Sequence, residues 1–192
     1  MADDLGVADR DVHAQARAVL GFWFDLVMPE QRFAKSAALD AEISTLFGGL
    51  REQVVESGAA AWRGDPETLL AAIILIDQFG RNIHRGSARA FAADPLALEL
   101  ARAALAKGWD AGMRAEQRQF LYLPFMHAED PEAQAECVRL FEALGDPEPL
   151  AFARDHQAVI RRFGRFPGRN AALGRESTAE ERAYLSQPGA GW

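Results

Sequence analysis

Four Asp-Pro pairs divide this sequence, and an apolar or alanine-rich segment follows each of them. The pairs are Asp65-Pro66, Asp94-Pro95, Asp130-Pro131 and Asp146-Pro147. An aspartate carboxylate can accept a backbone N–H from the first turn of a helix. Proline suits the first helical position because the N–H that it lacks would have no partner there. The four pairs therefore predict four helix starts.

Residues that favour β-strands are scarce in the same chain. Alanine occurs 37 times, whereas valine, isoleucine and threonine together occur 17 times. Alanine is the best helix former, and no segment alternates long enough between apolar and polar residues to predict a strand. We therefore predict an all-α fold: a single-domain antiparallel array of about eight or nine helices over residues 1–187, followed by a loose tail at 188–192.

Apolar spacing places the individual helices. The predicted ranges are Asp11–Leu26, Ala38–Phe47, Gly49–Ser57, Pro66–Arg85, Pro95–Lys107, Ala115–Pro124, Pro131–Leu144, Glu148–Phe163 and Thr178–Leu185. The first half of the Pro66–Arg85 helix is apolar nearly all round, which indicates a central position. His156 lies on an apolar stripe and is predicted to be a core histidine.

The net charge and the cysteine content indicate which binding partners and which cellular compartment to expect. The net charge of -7 argues against a nucleic-acid partner. Cys137 is the single cysteine, so no intrachain disulfide can form, which favours the reducing cytoplasm. The acidic N-terminus has no apolar run typical of a signal peptide. The longest aliphatic run, 69–76, is too short to cross a membrane, so no membrane partner is expected.

Asparagine occurs twice, at Asn82 and Asn170, and both times it follows Gly-Arg. In the first of these segments Asp77, Arg81 and Arg85 are spaced four residues apart, which predicts one helical face. Asp77 directly follows the apolar run, so a partly buried carboxylate would need Arg81 as its partner. The pair is either a structural ion pair at a helix end or a device by which Asp77 orients Arg81 toward an anionic ligand.

The second Gly-Arg-Asn segment concentrates positive charge. Residues 154–175 include six arginines and one acidic residue, in an irregular stretch with glycines and Pro167. Guanidinium groups bind carboxylate or phosphate with two parallel hydrogen bonds, so this segment predicts a cradle for an anion. The alternative is a loop whose arginines are tied to carboxylates of the chain itself, such as Glu129 or Asp94.

His127, with Glu129 two residues later, is a candidate for acid–base catalysis. Pro124 is expected to end or kink its helix and to place His127 at a junction. Histidine titrates near neutral pH, which suits proton transfer. The sequence has no cysteine pair, His-Glu-x-x-His or Gly-x-Gly-x-x-Gly motif, so neither a metal nor a cofactor is predicted.

Long motifs of the chain resemble an uncharacterised bacterial family, domain of unknown function 924. The segments that carry the resemblance are 22–24, 75–86, 90–94, 122–129, 162–170 and 173–181. The resemblance covers the chain from about Gln15 to Leu185 and implies an all-helical fold like a tetratricopeptide superhelix, without implying an activity. The chain departs from the family pattern at Gly168, where histidine is usual, and at Ala128, where serine is usual.

Three hypotheses follow from these patterns. In the first, a cluster of arginines and asparagines binds an anionic small molecule or an acidic peptide. Its predicted ligand-binding residues are Arg81, Asn82, Arg85, Arg162, Arg165, Arg169, Asn170 and Arg175. In the second, the same cluster clamps the anion of an enzyme substrate, with His127 as general acid or base oriented by Asp77 or Glu129. In the third, these polar residues only fix how the helices pair.

Overall fold

The computed structural model describes residues 2–191 of the protein, with side chains from Asp11 onward; Trp192, at the end of the predicted tail, lies outside this range. Within the described residues the chain is all-helical and contains no strand, as the sequence predicts. The α-helices are α1 (Ala2–Gly21), α2 (Pro29–Arg32), α3 (Ala37–Glu56), α4 (Pro66–Ile73), α5 (Gly80–Ile83), α6 (Asp94–Ala106), α7 (Ala115–His127), α8 (Pro131–Leu144), α9 (Pro147–Phe163) and α10 (Ala179–Leu185).

Shorter helical segments join these elements. Two are π-helical, π1 (Phe22–Leu26) and π2 (Ile74–Phe79), and they directly continue α1 and α4. The 3₁₀ turns are Ala60–Trp62, Ala88–Ala90, Trp109–Gly112 and Pro167–Arg169. The α4–π2 stretch forms the centre of the core, because every residue from Leu69 to Ile76 is at most 1% exposed. Around it pack α1, α3, α6 and α7.

All four Asp-Pro pairs begin helices as predicted. The carboxylates of Asp65, Asp130 and Asp146 each accept a hydrogen bond from a backbone N–H of the first turn. Asp94 differs from the other three in one respect: it is itself the first residue of α6, and no side chain caps this helix. The carboxylate of Asp94 accepts hydrogen bonds from Arg81 and Arg169.

The predicted helices Ala38–Phe47 and Gly49–Ser57 are in fact one continuous helix, α3. Glycine in a helix interior costs roughly 0.5–1 kcal/mol relative to alanine, which is too little to break the helix. Ile43, Phe47 and Val54 are all buried on one face of α3, on both sides of the glycine pair, and their burial offsets that cost.

Other boundaries also differ from prediction: α1 begins at Ala2 and not at Asp11, and the short α2 was not predicted. The Pro66–Arg85 helix ends at Ile83, with π2 inserted, so Arg85 lies beyond it and does not share a face with Asp77. The helix predicted to stop at Pro124 continues to His127. In the described part of the chain no helix is both long and apolar enough to cross a membrane.

Candidate functional site

A buried carboxylate and a histidine from distant parts of the chain meet between π2 and the end of α7. Nδ1 of His127 lies 2.8 Å and 3.0 Å from the two carboxylate oxygens of Asp77, which is 1% exposed. Since a carboxylate only accepts, Nδ1 carries the proton and Nε2 keeps its lone pair. The His127 side chain remains 16% exposed, and Nε2 makes no hydrogen bond to any described residue.

Two arginines and a second aspartate close a ring around this pair. Arg81 contacts Asp77 at 2.9 Å and donates two hydrogen bonds of 3.0 Å to Asp94. Arg169 donates to Asp94 at 3.2 Å and to the backbone carbonyl of His127 at 2.8 Å. We call Asp77, Arg81, Asp94, Arg169 and His127 the charged ring. Asp94, the first residue of α6, contacts both arginines of the ring and does not cap the helix.

The two guanidinium groups of the charged ring are held by aromatic rings as well. The guanidinium carbon of Arg169 lies 4.6 Å from the centroid of Phe91 and 4.6 Å from that of Phe166. Arg81 lies 5.8 Å from the same Phe91 ring. Cations are attracted to aromatic faces at such distances. The sandwich therefore orients Arg169 independently of its ion pair.

Gln134, on α8, holds the backbone that carries His127. Its side-chain amide donates to the carbonyls of Phe125, Met126 and Ala128, at 3.3, 2.7 and 2.8 Å. The last carbonyls of a helix lack the usual partner within the helix, and of these three, within the described residues, Phe125 alone accepts a further bond, from the N–H of Ala128 at 3.3 Å. Gln134 is 0% exposed and satisfies them, which fixes the end of α7. Sequence reasoning missed this residue because nothing local marks it.

Glu129 joins the loop after α9 to the same region. It accepts two hydrogen bonds from Arg175, at 2.7 and 2.9 Å, and one from the backbone N–H of Phe166 at 2.7 Å. It makes no hydrogen bond to His127, so it does not orient that imidazole as one form of the enzyme hypothesis supposed. Together with the Arg169–Asp94 contact, these bonds are the ones expected if the loop arginines are tied to Glu129 and Asp94.

Burial and neighbouring charges shift the pKa values of the charged ring, lowering those of His127, Arg169 and Asp77 and raising that of Arg81. Burial, reinforced by the nearby charge of Arg81, lowers the pKa of His127 against the opposing pull of Asp77. Burial and the charge of Arg81 also lower the pKa of Arg169 to about 10. Although burial alone would raise the pKa of Asp77, Arg81 and His127 hold it well below its usual range. His127 is therefore a neutral imidazole beside two guanidinium groups.

Four other predicted ligand-binding residues contact carboxylates outside the charged ring. Asn82 and Arg85 both bind Asp40 of α3, each at 2.7 Å. Arg165 binds Glu181 of α10 at 2.6 and 2.9 Å, and Arg162 binds Glu180 at 2.8 Å. The sequence did not single out Asp40 or Glu181, because both pair with residues that are distant along the chain.

Asn170 sits between the loop and α10. Its amide donates to Ser177 at 3.0 Å and to Glu181 at 3.3 Å, and its carbonyl accepts from Arg175 at 2.9 Å. At the start of α10, Thr178 and Glu181 cap each other. Glu181 also contacts Arg165 and Asn170.

The fold and the charged ring define an all-helical protein with a partly buried histidine site. The sequence profile of the bacterial proteins of unknown function DUF924 matches residues 19–189, and the chain belongs to that family. A solved protein of unknown function from Agrobacterium tumefaciens, ATU0120, is similar to it: the two are 39% identical with a TM-score of 0.86, over 90% of this chain and 97% of the other. No protein with a curated description matches this chain.

Proposed function

We propose that the protein binds a small anionic molecule, or the carboxylate of an acidic peptide, at the charged ring. The Asp77–His127 hydrogen bond carries the proposal, because it engages Nδ1 and leaves Nε2, beside Arg81 and Arg169, able to take up a proton and then donate to an anion. The set of binding residues is narrower than the sequence suggested. Arg81, Arg169 and His127 contribute to it, while Asn82, Arg85, Arg162 and Arg165 hold helices together.

Charge balance predicts how the anion binds. In the ring, Asp77 and Asp94 balance Arg81 and Arg169, and neutral His127 adds no charge. An added anion therefore needs a compensating positive charge, and protonation of Nε2 supplies it. Binding is expected to raise the pKa of His127 and to take up a proton from solvent.

Nitrogen-detected NMR of the histidine rings tests this proposal. We expect inorganic phosphate or acetate, added at constant ionic strength, to move the titration of His127 to higher pH. Arg169→Gln should abolish that change, whereas Arg102→Gln, an exposed arginine on α6, should leave it intact. If neither anion moves the His127 titration and Arg169→Gln only lowers the melting temperature, the ring is structural.

A second candidate function is proton transfer in an enzyme, with His127 as general base. The observation that favours it is the tautomer, because a buried carboxylate that accepts from Nδ1 leaves Nε2 as the base. The test is exchange of α-protons of small carboxylic acids in deuterated water, followed by proton NMR. The wild type should accelerate exchange and His127→Gln should not; equal rates would remove this candidate.

A tetratricopeptide-like arrangement is supported by the order of contacts. Each helix from α6 to α9 packs against the next one, and the connections after α7 and α8 are short. Short connections make neighbouring helices antiparallel hairpins. We propose that α6–α9 form a superhelical array that presents the charged ring at one end of α7. Superposition of successive hairpins tests this: a constant rotation between them is expected.

A further inference from the structure

A second group of charged side chains lies outside the charged ring, where α3 packs on α5. Arg51 and Glu52 are neighbours on α3, His84 directly follows α5, and Arg89 belongs to the 3₁₀ turn 88–90. We call these four residues the α3–α5 cluster. None of them was singled out by the sequence, and none belongs to the site described above.

Three donors of this cluster converge on one oxygen atom. Oε1 of Glu52 lies 3.0 Å from a terminal nitrogen of Arg51, 3.1 Å from Nε2 of His84 and 3.1 Å from a terminal nitrogen of Arg89. The donors come from three separate elements of the chain. Their convergence defines a position at which an anionic oxygen is held from several sides.

Arg51 is the buried member of the cluster and is incompletely paired. It is 4% exposed, and its Nε is buried without a hydrogen-bond partner in the described part of the chain. Its carboxylate contact is through a single hydrogen bond to Glu52. A buried guanidinium normally requires fuller compensation by charge and hydrogen bonds. Arg51 therefore has less compensation from the carboxylates of the chain than a buried guanidinium normally has.

Gly80 sets the position of the Arg51 side chain. A Cβ atom added at Gly80 would lie 3.3 Å from one terminal nitrogen of Arg51 and 3.5 Å from its Nε. The guanidinium thus packs directly on the backbone of α5, and its free end points to the rim where His84 and Arg89 lie. The position of the Arg51 guanidinium is therefore set by packing on α5 as well as by the hydrogen bond to Glu52.

Glu52 is held through one of its two carboxylate oxygens. Its side chain is 38% exposed, and its second oxygen, Oε2, makes no hydrogen bond to a described residue. Arg89 is 64% exposed, which leaves the cluster open on one side. Two guanidinium groups share this single carboxylate, so a positive charge remains uncompensated even when His84 is neutral.

We propose that the α3–α5 cluster is a second anion site, which binds a carboxylate or phosphate group in place of the Glu52 carboxylate. An oxygen of the ligand occupies the position of Glu52 Oε1 and accepts hydrogen bonds from Arg51, His84 and Arg89. Glu52 acts as an internal competitor that turns outward into solvent when the ligand binds. This site does not depend on the charged ring.

Side-chain NMR of the arginine Nε–H groups tests the proposal with inorganic phosphate and, separately, acetate at constant ionic strength. The signal of buried Arg51 reports on this cluster, and those of Arg81 and Arg169 report on the charged ring. We expect one of the two anions to shift the Arg51 signal in a saturable way; the anion that binds more tightly identifies a phosphate or a carboxylate ligand.

Substitutions of two solvent-exposed residues of the cluster, with one control outside it, test the proposal further. Glu52→Gln removes the competing charge and should tighten binding at Arg51 by about tenfold, the effect of ~1.4 kcal/mol. Arg89→Ala should weaken it several-fold, and Arg102→Ala, an exposed arginine outside both sites, should leave it unchanged. The proposal is overturned if the Arg51 signal is unaffected by both anions in Glu52→Gln as well as in the wild type, whatever Arg81 and Arg169 report.

Discussion

The carboxylate of Asp77 accepts a hydrogen bond of 2.8 Å from Nδ1 of His127, a residue 50 positions later in the chain. Asp77 is 1% exposed and carries a negative charge at the edge of the core. A buried charge persists only with partners that compensate it. His127 and Arg81 are those partners, so this pair connects the stability of the core to the chemistry of the site.

Asp77→Asn should destabilise the protein strongly. The substitution keeps the shape of the side chain but leaves Arg81 with less compensation, and removing one partner of a buried ion pair costs about 3–5 kcal/mol. Urea unfolding measures the loss. Glu99→Gln, which breaks the exposed Arg63–Glu99 pair, should change the free energy of unfolding by less than ~1 kcal/mol. Equal effects of the two substitutions would contradict the role of Asp77.

Gln134→Leu should loosen the end of α7. It removes the side-chain donor of the carbonyls of Met126 and Ala128, at a cost of about 1–3 kcal/mol for the buried groups, while the carbonyl of Phe125 keeps its bond from the N–H of Ala128. We expect faster hydrogen exchange at residues 125–128 and a lower free energy of unfolding. Gln53→Leu, at an exposed position of α3, is the matched control and should leave both quantities near their wild-type values.

His156 predicts how stability depends on pH. Its Nδ1 lies 2.8 Å from the carbonyl of Phe152, and burial, with the nearby His127, lowers its pKa to about 3 from an ordinary value of 6.5. As the pH falls below 6.5 the unfolded chain takes up a proton on this histidine and the folded chain does not. Stability should therefore fall by up to ~1.4 kcal/mol per pH unit below 6.5, continuing toward pH 3.

The contribution of His156 is isolated by measuring the free energy of unfolding of His156→Phe and of the wild type between pH 7 and pH 5. This interval lies above the range in which carboxylates titrate. The phenylalanine variant should lose less stability over this interval than the wild type. The lowered pKa of His127 gives a remaining dependence of the same sign in both proteins. Parallel curves for the two proteins would show that His156 is protonated equally in the folded and unfolded states.

Gly168→His, which introduces the residue usual in the family, should be tolerated. Gly168 is exposed and does not have a positive φ, so a side chain meets no backbone strain there. We expect the melting temperature to stay within about 2 °C, as for other exposed substitutions that disturb no special feature. Gly164→His is the control, because φ is 71° at Gly164 and the left-handed conformation costs a side chain roughly 1–2 kcal/mol.

The helical fold was predictable because its signals are local. Abundant alanine and the Asp-Pro starts at Asp65, Asp130 and Asp146 act within one turn of the chain, so they are legible without knowing the fold. The same holds for the contact of Asp77 with Arg81, which are four residues apart. Local rules fail at Gly48-Gly49 and at Pro124, because packing on both sides of these residues outweighs their intrinsic preference against helix.

Only the tertiary structure decided which charges meet. The sequence brought the Arg-rich segment 154–175 to attention, but it left open whether these arginines face a ligand or carboxylates of the chain. Folding sends Arg165 to Glu181, Arg175 to Glu129 and Arg169 to Asp94, so that Arg169 alone joins His127. An ion pair depends on distance in space, and these partners are 16 to 75 residues apart along the chain, beyond the reach of any local pattern.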